Sequence, residues 1–151
     1  MSMFHSMNIT SSALTAQRLR MDVISSNMAN ADTTRANLVD GEWEPYRRKR
    51  VVMEPKENSF STYLESAMGG DQNSVGNGVK VTKIEADDTP FQLVYDPDHP
   101  DADDEGFVRM PNVDPLREMV DLMSATRSYE ANVTVLNASK NMLMKALEIG
   151  K

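Results

Sequence analysis

At 151 residues and a net charge of -7, the chain has the length of one ordinary domain and an acidic balance that argues against a phosphate-facing surface or docking on anionic lipid. It contains no cysteine, which removes disulfides, thiolate nucleophiles and cysteine-based zinc sites. Aromatic residues make up 6%, so a large aromatic core is not expected.

The first ten residues lack a basic cluster followed by an apolar run, so a cleaved secretory leader is not expected. No stretch is apolar for long enough to span a bilayer. Residues 4–29 contain neither proline nor glycine. Met7, Leu14, Met21 and Met28 fall seven apart, with Thr10, Gln17, Ile24 and Ala31 at the intervening offset. That spacing predicts a long helix with a coiled-coil type of stripe. The run Asn27-Met28-Ala29-Asn30-Ala31-Asp32-Thr33-Thr34 ends it, because Asn and Asp favour helix termini and side-chain turns.

The middle has a different character. Residues 46–53, 79–84 and 91–95 are rich in β-branched and aromatic side chains and predict strands, with a shorter one at 107–110. Residues 60–68 read as a short helix or part of a mobile excursion, and 69–78 as a flexible linker. The acidic, proline-punctuated stretch 87–106 reads as a solvated loop around the third strand. Arg47, Arg48, Lys49 and Arg50 form a basic run, read as a strand end with solvated charges or as a patch that meets the 96–105 acidic loop of a neighbouring copy.

The last segment mirrors the first. Asn112 and Asp114 are capping candidates, Pro115 suits a first helical turn, and residues 115–148 again lack proline and glycine. Leu122, Tyr129, Leu136 and Leu143 form one row seven apart; Met119, Thr126, Val133 and Leu147 form a second, interrupted by Lys140. At 1.5 Å per residue the two helices would run roughly 40 and 50 Å. The expected fold class is α+β, mainly α. Long N- and C-terminal helices pair as a coiled coil, over 1–34 and 112–151, with a small β-rich region over 35–111.

A two-helix pair leaves apolar flanks uncovered, and the β-region is too short to cover both. Unequal patches docking head to tail would build an open helical array. Twelve methionines suit a subunit that meets non-identical neighbours. The competing reading is a self-contained helical hairpin, such as a binding protein or secretion chaperone.

Three stretches carry a family resemblance. Residues 16–34, ending in Asn27-Met28-Ala29-Asn30-Ala31-Asp32, resemble the N-terminal signature of the bacterial flagellar axial family of rod, hook and hook-associated proteins. Residues 95–102 with 106–113, and Glu118-Met119-Val120-Asp121-Leu122-Met123 with 127–133, resemble the rod branch of that family, most of all its proximal rod members. Residues 58–77 depart from it as an insertion. The resemblance implies a structural subunit of the basal-body rod and not an enzyme. It further implies export through the flagellar type III apparatus without a cleaved leader, and contact with other rod proteins and further copies of itself. It implies helices that line the rod's channel and pass torque to the hook. The residues expected at the assembly interface are Met7, Leu14, Met21, Ile24, Asn27, Met28 and Asn30, with Met119, Leu122, Tyr129, Asn132, Val133, Leu136, Leu143 and Leu147.

Candidate chemistry is thin. Asp101-x-Asp103-x-Glu105-Gly106 echoes the start of a calcium loop, but Asn112 stands where the bidentate glutamate belongs. His99 has no second histidine nearby, no serine sits in a nucleophile elbow, and no glycine loop is followed by the lysine that cradles phosphate. No catalytic, metal, cofactor or nucleic-acid site is expected.

Overall fold

In a computed structural model, residues 3–39, 41–56 and 76–149 are described. The insertion, the candidate helix at 60–68 and most of the linker at 69–78 lie outside them. Among the described residues, two helices, α1 (Met3–Ala29) and α2 (Pro115–Ile149), flank six strands in the chain: β1 (Asn37–Val39), β2 (Glu42–Glu44), β3 (Lys49–Pro55), β4 (Val79–Ala86), β5 (Gln92–Tyr95) and β6 (Phe107–Met110). The strands form three two-stranded sheets, β1 with β2, β3 with β4 and β5 with β6. Long terminal helices around a small region of short antiparallel strands are the architecture the sequence patterns predict. The β1–β2 hairpin was not anticipated, and β3 starts three residues later than the apolar pattern suggests.

The ends of the helices are built from local chemistry. Asp114 caps α2 through its Oδ1, which accepts the Leu116 N–H at 3.0 Å and the Arg117 N–H at 3.4 Å. Pro115 then takes the first helical position, where a missing N–H costs nothing. At the far end of α1, the Asn30 side chain donates back to the Ser26 carbonyl at 2.8 Å, and Asn30 also supplies the acceptor for Thr33 Oγ1.

The chain divides into two compact units. One holds residues 1–19, 52–83 and 126–151. Its buried positions are small or polar: Thr10, Ala16 and Ser139. Small side chains let backbones approach closely, and Gly78, at φ 97°, sits where a Cβ would collide with Ser12 Oγ. That hydroxyl donates to the Ile9 carbonyl at 2.7 Å and accepts the Val79 N–H at 3.1 Å, fastening the start of β4 to α1.

The other unit holds residues 20–51 and 84–125. Its interior combines Val23, Ile24, Tyr46, Val108, Val113 and Ala125 with two fully buried polar side chains, Asn27 and Glu118. The latter two are among the largest fully buried side chains of the chain, beside Val108 and Pro111.

Candidate assembly surface and the polar junction beneath it

Asn27 lies on the last turns of α1, and all four hydrogen-bonding positions of its amide are filled. Its Nδ2 donates to the Lys49 carbonyl at 2.8 Å and to Glu118 Oε2 at 3.0 Å. Its Oδ1 accepts the Lys49 N–H at 2.9 Å and the Tyr46 hydroxyl at 3.0 Å. The asparagine therefore acts as one more strand residue beside the start of β3, while its second donor holds the first turns of α2.

Glu118 continues the chain of contacts. Its other oxygen, Oε1, accepts from Arg48 Nε at 2.6 Å. Arg48, with 13% of its side chain exposed, also reaches Asp87 at 3.2 Å and Asp121 at 3.6 Å. Asp121 in turn pairs with Arg20 of α1 at 3.0 Å. Burial alone would pull the Arg48 guanidinium down, but the hydrogen bonds and charges of Glu118 and Asp87 outweigh it and raise its pKa. The Asp87 carboxyl is held below its usual range, first by the Thr89 N–H and also by Arg48. Asn112, expected as a helix cap, instead ties loops together. It accepts the Arg48 N–H at 2.7 Å and donates to the Asp87 and Thr89 carbonyls.

The basic run is only in part a solvated strand end: Lys49 and Arg50 are exposed at the start of β3, while each of the four cations has a partner within the chain. Arg48 is in the buried junction, Arg50 pairs with Glu85 at 2.9 Å, the Arg47 guanidinium lies 4.5 Å from the Phe91 ring centroid, and Lys49 lies over Tyr46. The acidic loop is likewise not simply solvated. Asp101 accepts from Thr34 Oγ1 at 2.6 Å and pairs with Arg35, and these contacts, the threonine first, hold its carboxyl below the usual range. Asp103, part of the calcium-loop echo, spends its Oδ1 on the Glu105 and Phe107 N–H groups.

The expected interface residues fall into three groups. Ile24 and Asn27 are buried within the chain. Met7, Leu14, Met21, Met28, Asn30, Leu122, Tyr129, Asn132, Val133, Leu136 and Leu143 are partly buried. Met119 and Leu147 are exposed. On α2, Glu118, Leu122, Ala125, Tyr129, Leu136 and Leu143 share one face at 3.6 residues per turn. A second apolar face, expected as an uncovered flank but not residue by residue, lies roughly opposite: Leu116, Val120, Met123, Val135, Met142 and Ile149, each more than half exposed. Its members also lie on seven-spaced rows, Leu116 with Met123 and Val135 with Met142 and Ile149, beside those on the other face of the same helix.

Comparison with known proteins agrees with this architecture at both ends. Residues 7–36 match the family of flagella basal body rod proteins, and residues 104–149 match the C-terminal family of flagellar basal body rod FlgEFG proteins. Over its full length the chain is 67% identical to the whole of the flagellar basal-body rod protein FlgC of Bacillus subtilis (strain 168). It is 48% identical to FlgC of Borreliella burgdorferi, with 99% of this chain and 98% of that one aligned, and 43% identical to the whole of FlgC of Escherichia coli O157:H7. Both helices, and the residues of the polar junction, fall inside these full-length similarities.

Proposed function

Because the chain belongs to the FlgC family of flagellar basal-body rod proteins, and is a structural subunit of the rod that assembles with other rod proteins, we propose that its two terminal helices are the elements through which it assembles. The observation that supports this reading is the second apolar face of α2, where six large side chains stand more than half exposed on a helix whose opposite face is already covered. A face of that kind marks a surface completed by a partner.

In this reading the two ends form one coiled-coil domain, residues 1–34 with 112–151, and residues 35–111 lie outside the seam. The partly buried interface residues make the seam. Leu147 extends the seam's face towards the end of α2 and Met119 lies at its flank, both exposed, while the second apolar face meets neighbouring subunits, among them further copies of this chain. Ile24 and Asn27 contribute from inside by fixing how the helices are held. The assembled helices line the channel and carry torque towards the hook, and the chain reaches the rod through the flagellar type III export apparatus. Its part is mechanical, without catalysis, bilayer insertion or nucleic acid.

Hydrogen exchange on the free protein and on its mixture with purified rod partners tests this. Amides of 3–29 and 115–149 are expected to gain protection on mixing. The double variant Val135→Glu, Met142→Glu is expected to lose that gain while unfolding within about 0.5 kcal/mol of the parent, as exposed substitutions do. Protection that is complete in the free protein and unmoved by partners would sink the reading in favour of a self-contained hairpin.

A further inference from the structure

The β5–β6 hairpin leaves one edge open, and its geometry identifies which backbone groups are free. The strands pair antiparallel, Gln92 with Met110, Leu93 with Arg109, Val94 with Val108 and Tyr95 with Phe107. The Asp96 N–H donates to the Gly106 carbonyl at 3.0 Å, so the pairs two and four residues along, at Val94 and Gln92, are the hydrogen-bonded ones. Leu93 and Tyr95 therefore point their N–H and C=O groups away from β6. The matching outward groups of Phe107 are already used, its N–H by Asp103 Oδ1 and its carbonyl by the Asp103 N–H, each at 2.9 Å. Among the described residues, no strand lies on the outer side of β5.

The same two residues carry the exposed face. Leu93 and Tyr95 are 66% and 65% exposed, and Tyr95 meets Phe107 edge to face at 5.3 Å. On the opposite face Val108 of β6 is 1% exposed and Val94 of β5 44%, so the most exposed apolar side chains of β5 are those of Leu93 and Tyr95. A two-stranded hairpin with an apolar outer face and a free edge gains both hydrogen bonds and burial from a third strand.

Charge decides what that strand carries. Asp88 precedes β5, Asp96 and Asp98 follow it, and Asp104 and Glu105 lie at the turn into β6. All five are exposed and make no ion pair among the described residues. Arg109, across from Leu93, is the cation on that face. The strands of this same chain are poor donors of a complementary segment. Lys49 and Arg50 of β3 are engaged with Tyr46 and Glu85, and Lys80 and Lys83 of β4 also have partners.

We propose that the free edge of β5 accepts, by strand addition, an extended segment of a different protein in which lysine or arginine alternates with β-branched residues. Backbone bonds at Leu93 and Tyr95 give the register, their side chains give the apolar contact, and the flanking carboxylates select the basic sequence. This surface is separate from the helices, so its failure leaves the helix reading untouched, and the reverse also holds.

The test titrates the full-length protein with a synthetic peptide alternating valine and lysine, and with a control alternating valine and glutamate, while amide exchange is followed residue by residue. The lysine peptide is expected to slow exchange at Leu93 and Tyr95 and leave Gln92 and Val94, already bonded to β6, unchanged. Leu93→Pro removes one outward donor and is compatible with an edge strand. It is expected to weaken the lysine peptide by about tenfold, the worth of one or two lost bonds, with the Val94 amide still protected. Unchanged exchange at Leu93 and Tyr95, equal binding of the glutamate peptide, or full binding by Leu93→Pro with Val94 protected would each overturn the proposal.

Discussion

The two compact units are held by opposite devices. In the unit of residues 20–51 and 84–125, a carboxylate, a guanidinium and an amide are buried together with every strong bond made. In the unit of residues 1–19, 52–83 and 126–151, nothing large is fully buried among the described residues, and one fastening is a glycine against a serine on α1. The difference teaches where specificity is stored. A polar junction has few acceptable partners and tolerates little change, since each member left alone in the interior becomes costly. Small-residue packing is set by closeness, and its failure is one of volume.

The strongest way to break that contrast is Glu118→Ala. It strands Arg48 and one Asn27 donor in the interior and is expected to cost about 3–4 kcal/mol, read from the midpoint of urea unfolding. A loss below about 1 kcal/mol would mean the junction is an ornament of the fold. Gly78→Ala probes the other unit. It adds a Cβ at φ 97° against Ser12 Oγ and is expected to cost about 2 kcal/mol. Part of that cost should return in the Gly78→Ala, Ser12→Gly double variant, where the colliding hydroxyl is gone.

The smallest effect separates the units by pH. Asp87 has its folded pKa depressed below the unfolded value of about 3.9. Its contribution to stability is therefore present above that value and is lost as pH falls through the lower folded pKa. The stability gap between the parent and Asp87→Asn is expected to be constant from pH 7 to about pH 5 and to shrink below about pH 4. The cost of Gly78→Ala, which involves no titrating group, should stay the same across that range.

Much of this was legible in the residues. Both helices appear within one residue of the proline- and glycine-free stretches 4–29 and 115–148, because such stretches leave little room for another structure. Strands β4, β5 and β6 followed from β-branched clusters. The β1–β2 hairpin was missed because each strand is three residues long, too short for alternation to register, although Asp40-Gly41 between them is a two-residue turn sequence and Gly41 has φ 89°. The junction was hidden for a different reason. Arg48 looks like any member of a basic run, and only its pairing with a glutamate 70 positions away removes it from the surface. Glu118 gave a misleading cue, since an acid in the first turn of a helix is usually there for the helix dipole. Uncovered apolar flanks were expected, but Val135, Met142 and Ile149, themselves seven apart, were not picked out because the rows chosen on α2 lie on its other side.

One property of the junction concerns time. Asn27 and Glu118 are 91 residues apart, and Arg20 and Asp121 are 101 apart. Closing a loop of that length costs about 4 kcal/mol of chain entropy beyond the constant term, against about 2 kcal/mol for the connection between β5 and β6 and less for a helical turn. The end of α1 and the β5–β6 hairpin can therefore form as soon as their own residues are free, while the junction has to wait for the start of α2. A chain still emerging from any narrow passage, N-terminus first, holds Asn27 and Arg48 in water until residue 118 arrives. The last polar contacts to close are then the ones that exclude the most alternatives, so early mispairing of the two ends stays reversible until the correct one is available.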